Sequence, residues 1–305
     1  MNRNFLGIDI GGTASRWAVV SETGKTLARG SVGGATGHLF NPAERARFAA
    51  TIAAIHDAAG GGIAGVYAGV TGLGAAVEQE SRTLIGEIFG LSPEAVLATD
   101  DVALAFRATF APGAGHLVAA GTGSIGIHFS ADGQLVRVGG RGILVDDGGS
   151  GAWIALRAID RLFRRIDAAG EPAEARILAD KLFEAIGGEG WEAVRSFVYG
   201  SDRGRIGMLA TPVAQAAELG DPLATAILYD AIDELTRLAR ALIFRGGQLP
   251  VAFIGGVIDL SPMMRPGLQR ALPDTEVLFP TTDAALAAAH IARTSHSAGP
   301  DFSRG

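Results

Sequence analysis

Apolar runs alternate with amphipathic stretches along the first half of the chain. The run at residues 5–8 stops at two glycines, and a second apolar run follows at residues 17–20. This pattern predicts a β-hairpin. Residues 42–59 carry apolar side chains at helical spacing, and residues 63–70 form a short apolar run typical of a buried strand. The alternation of strands and helices predicts an α/β fold.

The second half contains more helix. The apolar run at residues 95–98 ends in polar residues and precedes a predicted helix at 102–109, and residues 158–246 are predominantly helical. A buried strand is predicted from Val251 onward, followed by the glycine pair Gly255-Gly256. The Ala-rich segment 283–292 is suited to a closely packed last helix.

One block of the chain is repeated at a constant offset of 109 residues. Six residues recur in register: Gly12, Thr13, Ser15, Ser21, Gly24 and Gly30 correspond to Gly121, Thr122, Ser124, Ser130, Gly133 and Gly139. Each block has the pattern strand, Gly-Thr turn, strand, Gly-containing turn, strand. We infer two related lobes. The linker-like stretch 111–115 divides the chain into an N-terminal lobe at 1–115, a larger C-terminal lobe with a helical insertion at 116–293, and a loose tail at 294–305. The last helix could pack back on the first lobe.

Composition narrows the functional classes. The chain has no cysteine, which excludes disulfides, thiolate catalysis and Cys-held iron–sulfur clusters. A formal charge of −6 and the absence of a long basic run argue against nucleic acid as a partner. We find no signal segment or membrane span, so we expect a soluble cytoplasmic protein.

The candidate chemistry begins at Asp9-Ile10-Gly11-Gly12-Thr13, at the end of the first strand. Glycines let backbone N–H groups close on an anion, and a carboxylate can orient a cation or its water shell. This suits a metal–nucleotide phosphate, although Gly-Gly between two strands is also an ordinary hairpin turn. The segment Ser21 to Thr26 looks like half of a Walker loop, but Val19 stands where that motif needs Gly, so we interpret it as a turn.

Two adjacent carboxylates, Asp100 and Asp101, stand at a predicted strand-to-helix junction. Either could cap the helix or act as a general base that accepts a hydroxyl proton. Thr71 and Gly72 follow another predicted strand and could form a substrate wall, or only a tight turn.

These motifs, in this order, resemble the N-acetylglucosamine kinase and BadF/BadG-type ATPase family of the actin, Hsp70 and sugar-kinase superfamily. The resemblance covers nearly the whole chain. It implies two duplicated actin-like (ribonuclease H-like) lobes with an ATP cleft between them. It also implies that Asp9 orients Mg²⁺ and that ATP contacts the segments Gly11-Gly12-Thr13, Gly121-Thr122-Gly123-Ser124 and Gly255-Gly256.

On the sugar side, the resemblance implies Asp101 as the catalytic base, with Asp100 as the cap or a helper and the register uncertain by one. Gly142 and Asp147 then correspond to sugar-binding positions in the loop 139–150. Three departures concern this side: Asp146 replaces a family Gly, Gly148 replaces a family Glu, and the stretch 35–39 lacks an Asn that the family often has.

The expected function is an ATP-dependent phosphotransferase of amino sugar metabolism, with an alcohol group as acceptor. N-acetylglucosamine, giving its 6-phosphate, is the first substrate expectation, and glucosamine is the alternative. The resemblance further implies a homodimer. A non-catalytic sugar or nucleotide sensor of the same fold remains a second hypothesis. The acyl-CoA reductase and dehydratase activators of this family need cysteines, and this chain has none, which removes that class. A Rossmann dehydrogenase is poorly supported, because no predicted strand of this chain is followed by a Gly-x-Gly-x-x-Gly motif that opens a helix.

Overall fold

The computed structural model describes residues 3–297. Within that range the chain forms two compact units: unit 1 contains residues up to Ala111 and from Thr281 onward, and unit 2 contains Pro112–Pro280. The sequence-based division put the junction at residue 115 and counted the last helix with the second lobe, while allowing it to pack back on the first. In the structure that helix belongs to unit 1.

Unit 1 contains a five-stranded sheet and four α-helices among its described residues. Its elements are β1 (Asn4–Ile10), β2 (Ala14–Ser21), β3 (Thr26–Gly33), α1 (Pro42–Ala59), β4 (Ile63–Val70), α2 (Ala75–Phe89), β5 (Val96–Asp100), α3 (Asp101–Thr109) and the last helix of the chain, α11 (Ala284–Ser297). The strand order is β3-β2-β1-β4-β5. Because β1, β4 and β5 are mutually parallel, their carboxyl ends meet at one edge of the sheet.

Helix α11 packs against β1 with no space for a side chain at Gly7. A Cβ atom there would lie 2.0 Å from the backbone oxygen of Ala285 and 2.2 Å from the nitrogen of Ala289. Ala288 and Ala289 are fully buried at this contact. Small residues on both elements therefore allow the helix to approach the strand closely. Residues 294–297, predicted as tail, continue this helix, and residues 298–305 lie outside the described range.

Helix α1 has the bounds predicted from the sequence, and it buries Phe48, Ile52 and Ile55. Asn41 caps the helix by accepting a hydrogen bond from the backbone N–H of Ala43 at 2.9 Å. This Asn therefore has a helix-capping role. The segment Ser21–Thr26 is a hairpin turn, as interpreted above, with a hydrogen bond from the Ser21 N–H to the Lys25 carbonyl.

Unit 2 contains the second five-stranded sheet and a set of helices. Its elements are β6 (His116–Ala120), β7 (Ser124–Phe129), β8 (Leu135–Gly139), α4 (Gly151–Ala169), α5 (Arg176–Ile186), α6 (Gly190–Tyr199), α7 (Arg203–Gly207), α8 (Ala210–Glu218), α9 (Pro222–Gly246), β9 (Val251–Ile254), α10 (Met264–Ala271) and β10 (Val277–Leu278). Its core is formed largely by α4, α8 and α9. No helix among residues 3–297 is long and apolar enough to cross a membrane.

The two sheets have the same topology. In unit 2 the order is β8-β7-β6-β9-β10. Strand β7 is antiparallel to both β6 and β8, whereas β9 is parallel to both β6 and β10. This matches strand for strand the order β3-β2-β1-β4-β5 of unit 1. The 109-residue repeat in the sequence therefore marks two copies of one folding unit.

Candidate active site

In unit 1, three polar side chains lie at the carboxyl ends of adjacent parallel strands. Asp9 is near the end of β1, Thr71 follows β4, and Asp101 follows β5. The register aligns Ile10 with Val70, and Val70 with Asp100. Sequence analysis identified each of these three as a candidate site residue on separate grounds, and the sheet places them at one edge.

Asp101 is held by hydrogen bonds to both of its carboxylate oxygens. The Thr71 hydroxyl donates to Oδ2 at 2.6 Å, and the backbone N–H of Val102 donates to Oδ1 at 3.0 Å. Asp100 is the N-cap of α3 and also accepts from the Val102 N–H, at 3.1 Å. The two neighbouring carboxylates thus differ: Asp100 caps the helix, and Asp101 is fixed against Thr71 on the adjacent strand end.

Asp9 lies in an environment that disfavours its negative charge. Burial raises the pKa of the Asp9 carboxyl, the nearby Asp101 raises it further, Arg16 lowers it, and Asp283 raises it slightly. Burial and a second carboxylate are two common causes of such a shift. A cation bound at this edge of the sheet would offset both the burial of Asp9 and its repulsion by Asp101.

The β1–β2 turn is braced by backbone hydrogen bonds. The Gly11 N–H donates to the Ala14 carbonyl at 3.1 Å, and the Ala35 N–H donates to the Gly11 carbonyl at 3.1 Å. Gly12 is exposed, with no atom within 4 Å of a Cβ placed on it. The bare backbone of Gly12 is therefore open to an approaching anion.

Arg47 of α1 connects this turn to the segment after β3. Its Nε donates to the Gly34 carbonyl at 2.8 Å, and a terminal nitrogen donates to the Gly12 carbonyl at 3.1 Å. Gly34 packs so tightly on the turn that a Cβ there would lie 2.4 Å from the Gly11 oxygen. Sequence analysis did not identify Arg47, because its partners are backbone carbonyls of residues distant in the sequence.

Thr71 and Gly72 contact the segment that precedes α1. The Gly37 N–H donates to the Thr71 carbonyl at 2.9 Å. Gly72 has a positive φ of 74°, and a Cβ on it would lie 2.9 Å from Nε2 of His38. The stretch 35–39, where the resembling family often has an Asn on its sugar side, therefore packs against the end of β4.

In unit 2, the Gly121–Ser124 segment forms the turn equivalent to that between β1 and β2. The Gly121 N–H donates to the Gly123 carbonyl at 2.9 Å, and the Gly151 N–H at the start of α4 donates to the Gly121 carbonyl at 2.8 Å. The Ser124 hydroxyl is buried and donates to the Gly148 carbonyl at 2.7 Å. This serine therefore anchors the loop that leads into α4.

Gly255 and Gly256 lie at the carboxyl end of β9, beside the end of β6. Gly255 has a φ of 102°, and a Cβ on it would lie 2.3 Å from the Ala120 carbonyl oxygen. Only glycine allows the backbone to pass the end of β6 at this distance. Gly256 begins a short 3₁₀ helix and has no atom within 4 Å of a Cβ placed on it.

Asp147 is only 4% exposed and lies against the β6–β7 turn. Its Oδ2 would be 3.1 Å from a Cβ on Gly123, and no hydrogen-bond partner satisfies that oxygen. Arg203 of α7 is 3.7 Å from Oδ2, which is an ion-pair distance but too long for a hydrogen bond. Burial raises the pKa of Asp147, while Arg203 and the backbone of Ser124 and Gly142 lower it.

The loop before Asp147 forms a small turn that is tied to α9. Gly142 pairs with Asp146 as an isolated β-bridge, and the φ of Gly142 is 91°. Asp146 accepts hydrogen bonds from Arg141 at 3.2 Å and from Arg237 of α9 at 3.3 Å. Asp146, the first departure on the sugar side, thus attaches this loop to the helical core.

Comparisons with known proteins agree with this architecture. A family model described as the BadF/BadG/BcrA/BcrD ATPase family matches residues 6–281. The chain belongs to the BadF/BadG/BcrA/BcrD ATPase family. An N-acetyl-D-glucosamine kinase of Dictyostelium discoideum is 26% identical over 226 residues, which cover 70% of this chain and 70% of that protein.

Two further relatives of this ATPase family member support the same grouping. An N-acetylmuramic acid/N-acetylglucosamine kinase of Clostridium acetobutylicum is 26% identical over 209 residues, covering 65% of this chain and 67% of that protein. The crystal structure of a candidate N-acetylglucosamine kinase from Chromobacterium violaceum superposes with a TM-score of 0.70 at 26% identity, covering 95% of this chain and 99% of that one. The predicted duplicated, actin-like α/β class and the resemblance are confirmed.

The donor set at the edge of the unit 1 sheet fits a hydrated divalent cation. Among residues 3–297 no cluster of three or more His, Cys, Asp or Glu side chains could enclose a metal. Mg²⁺, however, typically binds one or two protein carboxylates together with water and phosphate oxygens. Asp9, with its raised pKa beside the open Gly12 backbone, is suited to that kind of binding.

Proposed function

We propose that the protein is an ATP-dependent sugar kinase whose acceptor is an amino sugar, with N-acetylglucosamine as the first substrate and its 6-phosphate as the product. Membership of an ATPase family and relatives named as N-acetylglucosamine kinases support this proposal. The observation that carries it is the Asp101 carboxylate, fixed by Thr71 at the same sheet edge as Asp9.

Asp101 is proposed as the general base. One carboxylate oxygen accepts the proton of the sugar hydroxyl while the hydroxyl oxygen attacks the γ-phosphorus of ATP. A new phosphorus–oxygen bond forms, the bond between the γ-phosphorus and the β,γ-bridging oxygen breaks, and ADP leaves. The Thr71 hydroxyl and the Val102 N–H hold the base in one rotamer, so little reorganisation is needed at the moment of transfer.

The glycine-rich turns are proposed to bind ATP. The open backbone of Gly12 and the turn Gly121–Ser124 present N–H groups to phosphate oxygens, and Gly255-Gly256 allows close approach of the adenosine. Asp9 is proposed to hold Mg²⁺ through its water shell. When bound, that ion neutralises phosphate charge.

Asp147 is proposed to bind sugar hydroxyls, because its Oδ2 is buried and lacks a hydrogen bond. A buried polar atom without a partner is costly, and a ligand hydroxyl would satisfy it. Gly142 is proposed to shape the loop that carries Asp147, and Thr71 and Gly72 are proposed to bind substrate at the end of β4.

The test measures ADP release with Mg-ATP and a panel of N-acetylglucosamine, glucosamine, N-acetylmuramic acid and glucose. We expect sugar-dependent turnover with the wild-type protein and its loss in Asp101→Asn, which still binds ATP. A folded, ATP-binding protein that releases no ADP with any of these sugars would contradict the kinase proposal. In that case the alternative function, a non-catalytic sugar or nucleotide sensor of the same fold, would become the leading hypothesis.

A further inference from the structure

Unit 2 contains a cavity of about 540 Å³ beside the loop that carries Asp147. Its wall is formed by that loop together with side chains of α4 and α9. The lining includes Asp146, Asp147, Trp153, Glu234 and Arg237. A cavity of this size, with an aromatic side chain and a few convergent polar groups, is typical of a small-molecule site.

Glu234 of α9 occupies the space above Gly148. A Cβ placed on Gly148 would lie 2.5 Å from Oε2 of Glu234. Because Gly148 has no side chain, the carboxylate of Glu234 can reach the loop directly after Asp147. Helix α9 therefore supplies a further carboxylate, in addition to those of Asp146 and Asp147, at the loop position of Gly148.

Arg237 fixes the position of this carboxylate. Its Nε donates to Oε2 of Glu234 at 2.8 Å, and its terminal nitrogen donates to Asp146 at 3.3 Å. One guanidinium thus connects the loop carboxylate and the helix carboxylate. Asp146 also pairs with Arg141, but the cavity lining as a whole is acidic. It contains four carboxylates, Asp146, Asp147, Asp160 and Glu234, and two guanidinium groups, Arg157 and Arg237.

Asp147 gives the independent sign that a ligand belongs here. It lines the cavity, its side chain is more than nine-tenths buried, and its Oδ2 has no hydrogen-bond donor. Trp153 offers an apolar ring at the same wall, with the guanidinium of Arg157 5.3 Å from the ring centroid. Hydrogen-bond acceptors beside an aromatic surface suit a polyhydroxylated ring that carries donor groups.

We propose that Glu234 is a specificity-determining residue of the sugar site and that it favours a hexosamine bearing an amine or amide over one bearing an acidic substituent. This inference rests on the proposed sugar kinase function. The Glu234 carboxylate accepts a hydrogen bond from the sugar's nitrogen or an adjacent hydroxyl. It also repels a carboxylate-bearing sugar such as N-acetylmuramic acid.

The test compares kcat/KM for glucosamine, N-acetylglucosamine and N-acetylmuramic acid in the wild type, Glu234→Gln and Asp233→Asn. Gln keeps the shape of Glu and removes its charge. Asp233 is exposed on the same helix and serves as the matched control. We expect Glu234→Gln to lower kcat/KM for glucosamine about ten-fold, as for loss of a hydrogen bond to a charged group. For N-acetylmuramic acid kcat/KM should rise.

Calorimetric titration of glucosamine without ATP provides a readout independent of turnover. Weaker glucosamine binding by Glu234→Gln than by Asp233→Asn, at matched thermal stability, supports the proposal. Equal binding in all three proteins overturns it, as does an unchanged ratio of kcat/KM between the sugars. A wild type that transfers phosphate to a sugar while Glu234→Gln keeps its selectivity leaves the kinase function standing and removes only the role of Glu234.

Discussion

The two sheets have the same strand order, but different residues lie at the carboxyl ends of their parallel strands. In unit 1, side chains dominate: Asp9, Thr71 and Asp101 end three adjacent parallel strands. In unit 2 the equivalent strands β6 and β9 end in glycine-rich segments whose backbone is exposed or closely packed. One folding unit thus has carboxylates and a glycine-rich turn at the strand ends in one copy, and glycine-rich segments without strand-end carboxylates in the other.

The two turns also differ in register. Ile10 pairs with Ser15 across the β1–β2 turn, whereas Ala120 pairs with Ser124 across the β6–β7 turn, so the second turn is shorter by one residue. The first serine, Ser15, is buried with no partner for its hydroxyl, whereas Ser124 donates to the Gly148 carbonyl. Duplication preserved the topology, and the loops attached to each turn diverged.

The largest expected effect separates the two carboxylates at the end of β5. Asp101→Asn should lower kcat by roughly 10²- to 10⁴-fold, the range for loss of a general base. Asp100→Asn should retain most activity, because Asn is also a good N-cap residue. Steady-state ADP release for both variants, with nucleotide affinity as the folding control, makes the comparison. A more severe loss in Asp100→Asn would exchange their roles.

The next effect tests the glycine-rich end of β9. Gly255→Ala introduces a Cβ 2.3 Å from the Ala120 carbonyl into a backbone with positive φ, whereas Gly256→Ala meets no atom within 4 Å. We expect Gly255→Ala to lower the free energy of unfolding by about 1–3 kcal/mol and to raise the Kd for ADP. Chemical denaturation and nucleotide titration measure both quantities. Equal stability of the two variants would show that the backbone adjusts at Gly255.

The sequence predicted those parts of the site whose signal is local. The repeat predicted the two lobes, and the strand-end motifs predicted Asp9, Asp101 and both glycine-rich turns as candidate site residues, whose roles stay predictions. It did not reveal Arg47, Arg203, Glu234 or Arg237, because each contacts loop residues distant in the sequence. Charged residues are common on the solvent-exposed faces of helices, so these residues look ordinary in the sequence. Only the tertiary structure shows which of them contacts a loop.

A smaller effect tests the brace on the β1–β2 turn. Arg47→Met keeps the aliphatic stem and removes the two hydrogen bonds to the Gly12 and Gly34 carbonyls. We expect KM for ATP to rise several-fold with little change in kcat, because a more mobile turn binds phosphate less well without altering the base. Arg45→Met, which removes only the exposed ion pair with Glu80, is the matched control. Equal KM values for ATP in Arg47→Met and Arg45→Met would argue against a role for Arg47 in holding the turn.

The smallest effect concerns pH and follows from the crowding of carboxylates in unit 1. Since burial and Asp101 raise the pKa of Asp9, its ionisation is harder in the folded protein than in the unfolded chain. This group's contribution to stability is therefore greatest below the unfolded-state pKa of Asp9 and is lost as the pH rises through its raised, folded-state pKa.

Binding of Mg-ADP should follow the opposite direction, because a cation needs the ionised Asp9 and therefore binds better as the pH rises. In Asp101→Asn the neighbouring negative charge is gone, so the acid limb of Mg-ADP affinity should shift to lower pH. Arg16→Gln should shift it to higher pH, because Arg16 lowers the pKa of Asp9. Titration of Mg-ADP across the acidic range measures both shifts. Two variants that move the limb in the same direction would show that a group other than Asp9 controls Mg-ADP binding in this range.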